Sequence, residues 1–560
     1  MLTVENDRLV VKTRTQTAVF EAGRLVSLKG ADGREHLQGA APELPCPLQL
    51  IYAGNERVPL GGNAGDHVSV AALNDSRAEM RFESWHGDGV VAVSEDPQSG
   101  DVTIEPSGYA SHPGLRAVQY TLSGIGTGLE LVAPFFQGIR LPLEDPLIHN
   151  TRWQWPSSWE AGLAILQGPG GGFWVHCRDT RFRYKALQVG LPQQPRCLGL
   201  QTEAYGPTDL CLAAGGLAWR INVYPGDWTA PAAAYRDWLQ AAWDLPPEAA
   251  QPGWVRKLRL AVSWCPTQPA ILDALARHLS PAEVLLHIPL WRQDPYDENY
   301  PSFTASEEGR QFIRQARAMG FRTMPHFNSI DMDPTHPAYA CLRDFQYRGI
   351  ESRRVEGWVW HNGVQPVMES NAARGRHRDK KTMVKIHPGL AMWRSILARN
   401  VKAAADALEL DCVFLDVTLC TWNLHNGLVE NQTATEGMRR LIADVASLNN
   451  GLAVGGEGRN EITMLRQAFG QVHLFTSWQQ SCPGLERLDA GGGCPLNEFL
   501  FCRWCRSFGY SGLGGATPDQ KMRMRLHQRL GCIPTVTIGS AAEIDTPNRA
   551  VAEAIGRARA

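Results

Sequence analysis

The chain has no long apolar run. Nowhere in its 560 residues is there a stretch of the 18 or more apolar residues that a membrane-spanning helix needs, so no membrane partner is expected. An excess of one charge is missing too. The 55 Lys and Arg against 57 Asp and Glu give a net charge of −2, without the basic stripe by which nucleic-acid binders hold phosphates. The N-terminal MLTVENDRLVVKTRTQTAVF alternates like a strand and lacks a basic segment followed by an apolar one, so no secretory signal is read there. The 13 cysteines are odd in number and scattered, and Cys412, Cys420 and Cys532 lie inside apolar runs. That usage suits reduced thiols in a cytoplasm rather than a disulfide framework. The lone CRWC pair of Cys502 and Cys505, with Cys482 and Cys494 nearby, falls short of zinc-ligand spacing. Asp331 and Asp333 in SIDMDP fall short of the six or more oxygens of a calcium site. No metal and no cofactor is expected, and no repeat or low-complexity tract is present.

What is there is two grammars in succession. Residues 1–230 show many short alternating strands separated by Gly and Asp-Gly turns, as in RLVVKTRTQTAVFEAGRLVSLKGADG and GVVAVSE, which predicts a large β-sandwich. Residues 231–253 turn helical and then Pro-rich (DLPPEAAQPGW) and are expected to be a linker. From 254 to 560 strands and helices alternate. Strands are expected at Leu258–Trp264, Val284–Trp291, Arg322–Asn328, Val413–Val417, Leu452–Glu457, His473–Ser477, Phe508–Ser511 and Thr535–Ile538. Helices are expected between them, one over 459–468. Eight strands with intervening helices fit a (β/α)8 TIM-type barrel, so the fold class is a multidomain β plus α/β chain. An insertion at about 330–388, between the third and fourth strands, is long enough to be a lid or binding loop.

Two of these strands end on a single carboxylate. Val413, Phe414 and Leu415 lead into Asp416, and Leu452, Ala453 and Val454 lead through two glycines into Glu457. A buried Asp is often just a paired structural group. Two acids at the carboxyl ends of successive parallel strands nevertheless stand where such barrels build their active sites, and two opposed carboxylates are the usual equipment for cleaving a glycosidic bond. Asp416 is short and held at a strand tip, as suits a nucleophile. Glu457 is longer, with glycines that leave room for a ligand or else serve a tight turn, and suits an acid/base. If the strands form one barrel, Trp264, Trp291, Asp294, His326, Asn328, His425, Arg459 and Trp478 gather at the same end. Sugar hydroxyls need paired donors and acceptors, and sugar ring faces need aromatic walls. The 18 Trp outnumber both Phe and Tyr, and many sit in polar, loop-like segments such as NTRWQWPSSW, EGWVWHN and FTSWQQS.

With FLDV closing the fourth strand and GGEG the fifth about 40 residues on, after a β-supersandwich, the chain resembles the endo-α-N-acetylgalactosaminidases and the intracellular α-N-acetylgalactosaminidases, within the α-galactosidase-like barrel enzymes. The resemblance implies a nucleophile at Asp416, an acid/base at Glu457, and a lid carrying the Trp-x-Trp pair Trp358 and Trp360. One departure is expected to matter: the chain ends soon after the eighth strand, leaving no room for those enzymes' C-terminal β-domains, which leaves the sugar open.

The expectation is a retaining, exo-acting α-glycoside hydrolase in the cytoplasm with a carbohydrate substrate and no nucleic-acid partner. The oligomeric state is not readable. The competing readings are a non-catalytic carbohydrate-binding protein and another carbohydrate-active enzyme, a lyase or an epimerase-like protein, on the same architecture.

Overall fold

In the computed structural model of the protein, the described residues are 1–38, 45–246, 251–359, 364–366, 382–449, 451–473, 484–509 and 520–560. They divide into two compact units. The first comprises Met1–Phe135, Ile139–Ala242 and Trp422–Gly427, and the second Phe136–Gly138, Trp243–Thr421 and Leu428–Ala560. Among the described residues no helix is long and apolar enough to cross a membrane.

The first unit is a β-supersandwich of antiparallel sheets with four, ten and six strands. Period-2 alternation builds it: in Arg77–Ser84, Met80 and Phe82 are buried while Arg77 and Arg81 face solvent. The helix Thr229–Ala242, read from the sequence as linker, belongs to this unit, and its Tyr235 hydroxyl accepts the Gly162 N–H at 3.1 Å. Three Trp that looked like loop platforms, Trp153, Trp155 and Trp159, are instead buried in this core. Phe135 stacks on Trp153 at 4.4 Å and Trp159 on Trp219 at 6.0 Å.

The second unit is a barrel of eight parallel strands: β1 (Leu260–Val262), β2 (Val284–Ile288), β3 (Arg322–Asn328), β4 (Cys412–Asp416), β5 (Ala453–Glu457), β6 (Phe469–Val472), β7 (Arg506–Gly509) and β8 (Thr535–Val536). They pair in sequence from β1 to β7, with β8 on β1, and the parallel bridge Phe508↔Ile533 links the two ends. The apolar interior holds Ala261, Leu285, Met324, Cys412, Phe414, Ala453, Phe469 and Phe508. Two residues on, the next positions along six of these strands are Ser263, His287, His326, Asp416, Gly455 and Gln471.

The sixth strand lies four residues before its expected start. No α-helix forms over 459–468. Only eleven residues separate β5 from β6, and Asn460 Oδ1 accepts the N–H groups of Ile462 and Thr463, both at 3.0 Å, to start the short 3-10 turn Thr463–Leu465. The glycines before Glu457 serve packing rather than a ligand. A Cβ on Gly455 would stand 2.6 Å from Met324 Sδ, and one on Gly456 would collide with Gln467 Nε2. Gly455→Ala is therefore expected to lower the stability of the barrel by about 1–3 kcal/mol. The readout is a lower urea midpoint at unchanged slope, and an unaltered midpoint would show that Met324 repacks freely.

Candidate active site

The site is built on strand tips. The Asp416 carbonyl at the end of β4 accepts both the N–H and the Oγ–H of Ser329, at 3.1 and 2.6 Å. The Ser329 carbonyl in turn accepts the Trp393 indole N–H at 3.0 Å. The next residue, Val417, has φ 58°, a left-handed conformation in which a β-branched residue is strained by about 1–3 kcal/mol. The Val417 N–H donates to Glu457 Oε2 at 3.1 Å. Thr418 Oγ1 donates to the Glu457 carbonyl at 2.7 Å, and His473 Nε2 lies 2.6 Å from Glu457 Oε1.

The two carboxyls are driven apart in protonation. Burial raises Glu457 and the charge of Asp416 raises it further, against the opposing pull of His473 and Lys385. Burial also works to raise Asp416, but His326, the Val417 N–H and Lys385 outweigh it and hold the group below the ordinary carboxylate value. Asp416 is the more open of the two, its side chain 17% exposed against 8% for Glu457.

Behind Asp416 stands a pair of histidines. His326 Nε2 is 3.5 Å from Asp416 Oδ2, and His326 Nδ1 is 3.2 Å from His287 Nε2. His287 Nδ1 accepts the backbone N–H of Trp264 at 3.3 Å. Trp264 itself has φ 58°. Burial, then the neighbouring His326, pushes His287 well below the usual histidine range.

The insertion contributes a small antiparallel sheet of Asp331–Met332, Glu356–Val359, Val364–Pro366 and Thr382–Lys385. Lys385 and Asp331, both buried, form an ion pair at 2.7 Å, and Asn328 Nδ2 donates to the other Asp331 oxygen at 3.2 Å. Burial would lower Lys385, but Asp331 outweighs it and the ammonium is held above its ordinary value. The Trp358 ring lies 5.0 Å from the same ammonium.

Of the residues expected from sequence, the structure thus gathers Asp416, Glu457, His326, Asn328, Trp264 and, through Lys385, Trp358. Others are engaged elsewhere. The Trp291 indole is fully buried, with its N–H on the His326 carbonyl at 2.8 Å. Arg459, behind a bend at Gly458 (φ 77°), binds Glu498 at 2.7 Å and Gln137 at 3.0 and 3.1 Å. Asp294 accepts from Asn299 Nδ2 at 3.3 Å in the loop after β2. His425 belongs to the first unit, with Nε2 3.1 Å from Asp209. Trp360 and Trp478 lie outside the described residues. Sequence reasoning missed His287, Lys385 and His473. A His inside the apolar VLLHIPL was the one available signal for the first. Among the described residues no group of three or more His, Cys, Asp or Glu could hold a metal ion.

Residues 217–426 match a family model described as a domain of unknown function, DUF6259. A search of curated proteins finds no match. Among solved structures, the ligand-free α-N-acetylgalactosaminidase NagBb from Bifidobacterium bifidum aligns over 100% of this chain and 93% of its own, with TM-score 0.65 and 14% identity. Its GalNAc complex aligns over the same shares with TM-score 0.65 and 13% identity. The GH36 α-galactosidase AgaB from Geobacillus stearothermophilus aligns over 100% and 86%, with TM-score 0.50 and 8% identity. The likeness is one of fold.

Lys385→Met is expected to cost about 3–5 kcal/mol, because it strands Asp331 in the interior. Without its partner Asp331 binds its proton more tightly when folded than when unfolded, so the variant's stability should fall as pH rises through the folded-state value. Denaturation at pH 5 and pH 8 checks this. A loss that is equal at both, or greater at pH 5, contradicts it.

Proposed function

We propose that the chain is a retaining, exo-acting α-glycoside hydrolase for α-galactoside or α-N-acetylgalactosaminide substrates, with Asp416 as nucleophile and Glu457 as acid/base. The observation that carries this reading is the pair of carboxyls at the tips of the adjacent strands β4 and β5, joined by the Val417 N–H on Glu457 Oε2 at 3.1 Å. Their surroundings favour opposite roles, with burial and the Asp416 charge raising Glu457 while His326 holds Asp416 below the ordinary carboxylate value. A double displacement needs that division. Asp416 attacks the anomeric carbon while Glu457 protonates the departing glycosidic oxygen. Glu457 then takes a proton from the water that releases the sugar from Asp416.

Retention calls for carboxyls about 5–5.5 Å apart. Glu457 Oε2 is bonded to the peptide N–H directly after Asp416, which supports that spacing. The fold shared with an α-N-acetylgalactosaminidase and an α-galactosidase supports the substrate class. Trp264 and Trp358 are the candidate walls for the sugar ring. The described cysteines are all free thiols, in keeping with an enzyme acting in a cytoplasm.

A panel of p-nitrophenyl α- and β-glycosides tests the reading. Asp416→Ala should abolish turnover of every substrate. Glu457→Ala should keep activity on activated aryl glycosides, and azide should accelerate it to give a glycosyl azide of unchanged anomeric configuration. An azide of inverted configuration excludes the double displacement. Sugar binding without hydrolysis of any α-glycoside leaves a binding protein. In the wild type, kcat/KM should be bell-shaped in pH. Activity is lost on the acid side as Asp416 takes a proton and on the alkaline side as Glu457 gives one up. A profile flat on either side contradicts the assignment.

A further inference from the structure

The proposed reaction makes no use of His287, although this ring is joined to Asp416 through His326. It is fully enclosed: its neighbours are Trp264 after β1, His326 on β3, Phe414 on β4 and Phe508 on β7, with ring centroids 4.4–6.4 Å away. The charged or titratable groups that act on it are His326 and, beyond that, Asp416. A buried His in a barrel interior could be packing alone, but its hydrogen bonds are ordered in one direction. The Trp264 N–H has only one use for His287 Nδ1, as an acceptor. An imidazole whose Nδ1 accepts carries its proton on Nε2, and that proton points at His326 Nδ1, 3.2 Å away. His326 Nδ1 then accepts, which places the His326 proton on Nε2, facing Asp416 Oδ2 at 3.5 Å.

We infer that His287 is a positioning residue that fixes the tautomer of His326, so that Asp416 meets an N–H and not a lone pair. This deepens the glycosidase reading and rests on it. No proton moves along the chain. Its work is to keep the N–H end of the His326 ring beside Oδ2, an electrostatic contact at 3.5 Å and not a formed hydrogen bond, steadying the carboxylate in its ionised form and leaving the other oxygen to attack. The strained backbone of Trp264 fits the same role. Its φ is 58°, an outlier of the kind found at functional sites, and its N–H is the one that starts the series. A flipped His326 would set a lone pair against the carboxylate, an arrangement that disfavours the charged form.

Two variants separate positioning from packing. His287→Leu keeps the volume but removes the donor, and His287→Gln keeps a donor towards His326. The groups around Asp416 that shape its titration are His326 on β3, Lys385 on the insertion sheet, and Glu457 on β5. Neither variant touches them directly, apart from His326. In His287→Leu the acid limb of kcat/KM should move up by about one pH unit, with the alkaline limb in place, while His287→Gln should return the acid limb to the wild-type position. A packing role would lower thermal stability in both variants and leave the limb where it was, which overturns the inference. An independent readout does not need activity. In protein labelled with 15N-histidine, with the signal assigned by its loss in His326→Gln, His326 should be protonated at Nε2 in the wild type and shift towards Nδ1 in His287→Leu. A wild-type His326 protonated at Nδ1 overturns the inference whatever the enzyme hydrolyses. A protein that hydrolyses no glycoside yet shows the Nε2 form and its loss in His287→Leu sinks the proposed function and leaves the tautomer relay standing.

Discussion

One backbone turn holds the site together. Val417 occupies a conformation that a β-branched residue avoids, and its amide N–H donates to the Glu457 carboxyl. Because Val417 follows Asp416 directly, the same peptide segment locates both acids, and neither can shift without dragging the other. Ser329 and Trp393 fix the segment from the side of β3. Thr418 fixes it from the side of β5 through the Glu457 carbonyl. Everything electrostatic in the site depends on this shared anchor, since forces between charges in a poorly screened interior change steeply with distance.

The second constraint is the company these acids keep. Three carboxyls (Asp331, Asp416 and Glu457) and one ammonium, Lys385, are withdrawn from water in one region. Lys385 and the neighbouring imidazoles act unequally on these carboxyls, so their protonation is distributed unevenly. Burial lifts Asp331 and Glu457. Each of the two acids at the strand tips faces an imidazole, Glu457 that of His473 and Asp416 that of His326, but only for Asp416 do the partners outweigh burial. The asymmetry comes from the partners and not from the acids themselves.

Much of this was legible in the chain. Short apolar runs ending on Asp416 and Glu457 gave away both the strands and the residues at their tips, because a buried parallel strand has few polar positions to confuse the reading. Side-chain direction was less legible. Arg459 follows Glu457 by two and so looks inward by alternation, but the left-handed Gly458 breaks the alternation and turns it towards Gln137 and Glu498. Trp291 lies beyond the end of β2, where the period-2 rule no longer applies. His473 was placed at the start of a strand that in fact ends at Val472, so its side chain was not seen as a partner of Glu457. Flanking polar residues made NTRWQWPSSW look like a loop, but its Trp serve core packing, as most of the 18 were expected to, and burial there is decided by strands distant in sequence.

The ion pair of Asp331 and Lys385 has a consequence for how such a barrel can diversify. The pair joins the first strand of the insertion to its last, so it closes a collar at the base of the inserted segment. Whatever is strung between Met332 and Thr382 enters and leaves through that collar. The Tyr347 hydroxyl, inside that segment, donates to the Cys420 carbonyl after β4 at 2.9 Å, so a lineage that varied the segment would keep its two ends joined by the pair and its middle tied to the loop that follows Asp416.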